Sequence, residues 1–234
     1  MESDRIYQPS HRYALSQRSG ERNLAPIFGV SRLRMGTDGN GITTLVAFKG
    51  CPLHCKYCLN PQCHLPIRDV PGARFHTPKS LYRLVAKDNI YFQYTGGGIC
   101  FGGGEPAMYP EFIKAFRELC GDRWKITLET SLHVPWENIE MLIPVVDHWI
   151  VDIKDLNPDI DKAYTGIDGD IHGNILMLKS ECRSHITVKV PHIPGYNDHF
   201  DVELSIEFLQ AAGFEDIKEF TYIIPDKKIN TSKI

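Results

Sequence analysis

The chain has 234 residues, 42% of them apolar and 24% charged, and its 26 Lys and Arg against 29 Asp and Glu leave a formal charge of −3. Glycine and proline are spread along it, which excludes collagen-like, low-complexity and largely disordered chains. The balance of charge gives no global attraction to nucleic acid or to an anionic membrane. No apolar run approaches the roughly 18 residues that cross a bilayer, and Met1 to Arg22 lacks the apolar stretch of a secretory signal, so a cytoplasmic location is expected.

Residues 1–27 are polar, carry Arg5, Arg12, Arg18 and Arg22, and show neither helical nor strand periodicity, which predicts an N-terminal arm ahead of one folded domain at 28–234. From there β-branched runs alternate with helix-length segments. In chain order the pattern predicts a strand at Ile42–Phe48, a helix at Lys79–Ala86, a strand at Ile99–Phe101, a helix at Tyr109–Cys120 and a strand at Lys125–Glu129. It continues with a helix at Trp136–Ile143, a strand at Asp147–Ile153, a helix at Gly173–Cys182, a strand at Ile186–Val190, a helix at Asp201–Ala212 and a strand at Ile217–Ile223. Such alternation argues for parallel strands with right-handed crossovers. At roughly 30 residues per strand-helix-strand unit the domain holds about six strands, too few for a closed eight-stranded barrel. The expected fold is therefore α/β, a partial (β/α)6 TIM-like barrel with mostly parallel strands.

Cys51, Cys55 and Cys58 follow the first of these strands directly, at the end where barrel enzymes place their chemistry. Three thiolates on so short a loop suit three irons of a four-iron cluster, leaving the fourth iron free to hold a small molecule. Structural zinc, recruiting His54, Cys63 or His64, is the alternative on this loop alone. The segment Gly96-Gly-Gly-Ile-Cys-Phe-Gly-Gly-Gly-Glu-Pro106 then ends the second strand, where glycines let backbone approach a ligand and free N–H and C=O groups can bind an amino acid's ammonium and carboxylate.

In this order the two motifs resemble the radical S-adenosylmethionine superfamily, whose cluster loop is Cys-x3-Cys-x-aromatic-Cys, with Tyr57 at the aromatic position and Gly103-Gly104-Glu105 as its Gly-Gly-Glu motif. The resemblance is closer to the glycyl-radical-enzyme activating enzymes of the pyruvate formate-lyase activating type and runs from about Gly36 to Pro225. Gly36-Thr-Asp-Gly-Asn-Gly-Ile42, Phe48-Lys-Gly-Cys51, Tyr57-Cys-Leu-Asn60, Thr95-Gly-Gly-Gly98, Leu128-Glu-Thr130, Val151-Asp-Ile-Lys154 and Ile193-Pro-Gly-Tyr196 carry it. It implies a [4Fe-4S] cluster on Cys51, Cys55 and Cys58, reductive cleavage of S-adenosylmethionine to a 5′-deoxyadenosyl radical, and abstraction of a glycine Cα hydrogen from a partner glycyl radical enzyme. A flavodoxin or ferredoxin-type protein would supply the electron. Tyr57, Gly103, Gly104, Glu129, Asp152, Lys154 and Lys189 are the expected cofactor-site residues, with Asp152 and Glu129 suiting the methionyl ammonium and Lys154 the carboxylate or ribose. Strand parity puts Thr127 and Glu129 on one face of their strand and Ile150, Asp152 and Lys154 on one face of theirs, so the polar groups can converge at the same mouth. Glu129–Lys189 or Asp152–Lys154 could instead be ion pairs serving only the fold.

Asp38 is the candidate for receiving the substrate's glycine loop, in a segment one residue shorter than the family's and with Asn40 where the family has Pro. Glu129 stands for the family's Asp, which argues against the monovalent cation site that Asp helps form. Leu59 stands where activating enzymes often have His, and the family's adenosyl-contacting His falls near Lys227. Cys63, Cys100, Cys120 and Cys182 form no pair at ligand spacing, so one cluster is expected. Cys100 reads as a small core thiol rather than a hydrogen-atom donor, His192 as a hydrogen-bonded rim residue rather than a catalytic base, and Trp124, Trp136 and Trp149 as packing. The rival expectations are radical chemistry that modifies or epimerises a peptide or small molecule, and a zinc-stabilised binding module without catalysis.

Overall fold

The computed structural model describes residues 23–222 and Ile224. Six strands run parallel, as the alternation predicts: β2 (Ile42–Phe48), β4 (Gly98–Gly103), β5 (Lys125–Thr130), β6 (His148–Asp152), β7 (His185–His192) and β8 (Asp216–Thr221). Two strands absent from the expectation precede and interrupt them. β1 (Ala25–Met35) pairs antiparallel with β2, and the short β3 (Arg74–His76) pairs antiparallel with β1. The sheet therefore has eight strands in the order β3-β1-β2-β4-β5-β6-β7-β8, with β3 and β8 at its margins. Ala25 and Ile27 are already buried in β1, so strand structure starts ahead of residue 28.

The helices are α1 (Pro78–Val85), α2 (Asn89–Thr95), α3 (Pro110–Cys120), α4 (Trp136–Leu142), α5 (Pro158–Thr165), α6 (Ile171–Glu181) and α7 (His199–Ala211), of which α2 and α5 were not expected. Their starts are set chemically. Thr77 and Ser80 form a reciprocal capping box at α1, Asp198 and Asp201 another at α7, and the Asn157 and Asp170 side chains accept the first free N–H groups of α5 and α6. Gly96 and Gly166 end α2 and α5 in the left-handed conformation.

Alternation along each strand divides the sheet into two faces. One face carries Val46, Phe48, Ile99, Phe101, Ile126, Leu128, Trp149, Val151, Val188 and Val190, all buried in a continuous core with the helices. Phe101 lies edge-on to Phe48 and to Phe116 of α3, and Trp124 packs on Phe92 while its Nε1 donates to Asn89 at 2.7 Å. Trp124 and Trp149 are thus packing residues, as expected, and Trp136 packs half-buried at the edge of the same core. The other face lines the lumen with Cys100, Thr127, Glu129, Ile150, Asp152, Thr187 and Lys189, brought level by the registers Cys100 with Thr127, Glu129 with Ile150 and Asp152 with Lys189.

Candidate active site

The cysteine loop leaves the C-terminal end of β2 and is held by groups other than its sulfurs. Gly50 turns the chain with φ of 88°, and its N–H donates to Cys63 O at 3.0 Å. Buried Lys49 donates to the carbonyls of Gln62 at 2.9 Å and Cys63 at 3.3 Å and to that of Leu65, drawing the loop back over its own stem. Tyr109 Oη donates to Lys49 O at 2.7 Å. On the opposite flank, His54 N and Lys56 N donate to the carbonyls of Thr165 and Tyr164 at the end of α5, so this unexpected helix is a support for the loop. Cys51, Cys55 and Cys58 are left half-buried, with sulfurs free of disulfide.

The glycine segment is fastened to the same loop. Gly104 N donates to Phe48 O at 2.9 Å, Glu105 N to Gly50 O at 2.8 Å, and Asn60 Nδ2 to Gly103 O at 3.1 Å. A Cβ on Gly104 would overlap the Gly50 carbonyl, so glycine is required there by close approach. The buried Glu105 carboxylate accepts from Ala107 N at 3.1 Å and from both Ser131 N and Ser131 Oγ at 2.8 Å, tying the end of β4 to the end of β5. Its lone pairs serve the scaffold.

Charged groups converge below the loop. Lys154 Nζ lies 2.8 Å from Asp152 Oδ2 and donates to Tyr222 Oη at 2.8 Å. Burial would lower the Lys154 pKa, but Asp152 and Tyr222 outweigh it, and the ammonium is held above its ordinary value. The expected ion pair exists, yet it uses only one carboxylate oxygen. Asp152 Oδ1 is buried with no hydrogen-bond partner, an arrangement that costs free energy unless a donor arrives. Glu129 Oε1 lies 3.3 Å from Lys189 Nζ deeper in the lumen, and burial pushes its carboxyl pKa up. A Cβ on Gly102 would stand 2.7 Å from Glu129 Oε2, so that glycine makes room for the longer acid.

Burial pushes Cys51 up to about 12 and Cys55 up to about 11, with Lys154 drawing Cys55 back. The neighbouring Cys63 thiol instead hydrogen-bonds to Cys58 and holds its pKa below the ordinary thiol value. A metal that replaces these protons supplies the positive charge that burial withholds.

Not every expected residue meets the cysteines. The turn at 36–41 precedes β2, so Asp38 lies at the N-terminal ends of the strands. There it is buried and clasped by Arg34 through Nε and, at 2.9 Å, through Nη2, while Gly39 sits against Thr127 and His148. Tyr57 directs its Oη to Pro194 O at 3.1 Å and packs edge-on to Tyr164 and Tyr196. Its ring braces the loop. Cys100 is fully buried, but on the lumen face beside Thr127 and outside the apolar core expected for it, and His192 donates to Glu219 as the hydrogen-bonded residue expected. Lys227 lies outside the described residues. Tyr222 escaped the sequence reading because its partner lies 68 positions away, and Asn60, quoted there as part of the loop motif, was given no role because its partner lies 43 positions away.

The Radical SAM superfamily model matches residues 45–209, more than two thirds of the chain. Curated relatives include the (2S)-3-sulfopropanediol dehydratase activating enzyme of Klebsiella oxytoca, 27% identical over 78% of this chain and 76% of that one. The pyruvate formate-lyase 2-activating enzyme of Escherichia coli is 28% identical over 81% of this chain and 72% of that one. Among solved structures, Streptococcus suis SuiB bound to S-adenosylmethionine aligns with a TM-score of 0.54 at 15% identity, over 77% of this chain and 38% of that chain. QueE from Escherichia coli aligns with a TM-score of 0.50 at 10% identity, over 92% of this chain and 100% of that chain. At those identities the structures speak for the fold alone, and the chain spans well under half the length of SuiB. Motif, fold and family model agree, and the chain belongs to the radical SAM superfamily.

Proposed function

We propose that this chain is a glycyl-radical-enzyme activating enzyme, which removes a Cα hydrogen from a glycine of a partner protein. The observation that carries the cofactor assignment is the partnerless Asp152 Oδ1, facing the same mouth as three free thiols. Both relatives described above are activating enzymes, which supports a protein glycine as the target.

Cys51, Cys55 and Cys58 would hold a [4Fe-4S] cluster, and the donor set fits: three thiols, no fourth loop ligand at the same spacing, and an amino-acid-binding pair beside them. When bound, the cluster and S-adenosylmethionine supply one-electron cleavage of the sulfonium to methionine and the 5′-deoxyadenosyl radical that takes the glycine hydrogen. Asp152 Oδ1 accepts from the methionyl ammonium without releasing Lys154 from Oδ2, and Lys154 Nζ, kept charged, donates to the carboxylate or ribose. Glu129 and Lys189 set the polarity of the lumen next to the cofactor. Gly103 and Gly104 pack directly on Ala47 and Gly50 and so fix the end of β4 against the cysteine loop, while Tyr57 keeps that loop against the 194–196 turn. Asp38, locked by Arg34 at the opposite end of the strands from the cysteines, shapes the lumen floor in this reading and does not meet the glycine loop. A flavodoxin or ferredoxin-type protein would deliver the electron.

The test is anaerobic reconstitution with iron, sulfide, S-adenosylmethionine and a strong reductant, together with a glycyl radical enzyme encoded nearby. A doublet electron paramagnetic resonance signal on the partner, with one 5′-deoxyadenosine per radical, is the expected result. Many turnovers of a small substrate with no radical left on any protein would overturn the partner assignment. Loss of 5′-deoxyadenosine formation altogether would overturn the chemistry.

A further inference from the structure

Away from the lumen, three side chains with metal-binding donors meet where β7, α7 and β8 adjoin. His192 ends β7, His199 opens α7, and Glu219 sits on β8 beside them. Their donor atoms all lie within 4.8 Å of one another. His192 Nε2 donates to Glu219 Oε1 at 2.6 Å, and the imidazoles of His192 and His199 stack with centres 6.0 Å apart and planes inclined by 14°. We propose that His192, His199 and Glu219 bind one divalent transition-metal ion of the zinc class, at a site separate from the cysteine loop.

Two imidazoles and a carboxylate are a donor set that zinc-class ions take, with the remaining position filled by water. Access is direct, because the Glu219 and His192 side chains are 48% and 26% exposed. The intervening loop is held by its own hydrogen bonds. Ile193 N donates to Asn197 Oδ1 at 2.6 Å, Asn197 Nδ2 donates to Pro191 O and to Asp155 Oδ2 at 2.9 Å each, and Asp198 Oδ1 accepts from Phe200 N at 2.8 Å. The two histidines are therefore presented from a fixed frame, and only exposed side chains need to close on the ion. Coordination at His192 Nε2 moves its proton to Nδ1 and frees the Glu219 oxygen to serve as a ligand. The clamped loop also carries the Pro194 carbonyl that accepts from Tyr57, between Cys55 and Cys58. An ion at this margin thereby steadies the cysteine loop from outside the lumen.

The experiment uses the full chain, reconstituted with iron and sulfide so that the loop cysteines are engaged, and equilibrated with Zn2+ alone. One further zinc per chain is expected, with K-edge absorption showing nitrogen and oxygen neighbours and no sulfur. His199→Ala and Glu219→Gln, both at exposed positions, each weaken this binding at least about tenfold. Added zinc raises the melting temperature of the parent protein and not that of His199→Ala. Equal zinc affinity in the parent and both variants, or sulfur neighbours at the edge, overturns the proposal.

Discussion

The two ends of the lumen are built from the same residue types and treat them differently. At the floor, Asp38 is clasped by Arg34, and His148 Nε2 lies 2.9 Å from Thr187 Oγ1, which donates at 2.5 Å to Asp216. The Thr43 hydroxyl is the partnerless exception there. At the mouth, one oxygen of Asp152 has no partner and three cysteines stand free of disulfide, while Asn60 and Glu105 are tied to main chain around them. Polar groups that satisfy one another close a structure, and polar groups held rigidly without partners are set out for a ligand.

The comparison breaks most sharply at Cys55. Cys55→Ala is expected to abolish iron retention and 5′-deoxyadenosine formation, read by iron and sulfide content and by chromatography of the quenched reaction. Gly104→Ala should come next. Its methyl group pushes on Gly50, costs about 1–3 kcal/mol of stability, and lowers cluster loading, which absorbance near 400 nm reports. Lys154→Met removes a charged donor worth about 1.5–3 kcal/mol, so affinity for S-adenosylmethionine should fall about 10- to 100-fold in a binding titration. At the floor, Asp38→Asn should cost about 1–3 kcal/mol in urea unfolding and leave iron content unchanged. Unchanged stability would mean the Arg34 clasp does not close that end.

The smallest effect is titratable. Burial and His185 push His148 down to about 4 from an ordinary 6.5. The unfolded chain takes up this proton near pH 6.5 and the folded chain only near 4, so the stability due to neutral His148 is lost on acidification across that window. His148→Gln should flatten the urea midpoint between those values.

The parallel strands were legible because their β-branched runs face a helix layer on one side. β1 was not, since Ser31, Arg32 and Arg34 break any alternation in Ala25–Met35 and find their partners only in three dimensions. Arg32 pairs with Asp88, 56 positions away, and Arg34 with Asp38 across a turn. β3 is three residues long and takes its identity from β1. The thiols and the lumen charges could be read from spacing and parity. Asp152 Oδ1 could not, because whether an oxygen lacks a partner depends on every neighbour at once.

Lys49 shapes the cysteine loop through three main-chain carbonyls, and Gly50 and Glu105 complete the tie. The loop's course is thus set by nitrogen and oxygen as well as by its sulfurs, so a single lysine side chain stands behind the spacing of all three cysteines.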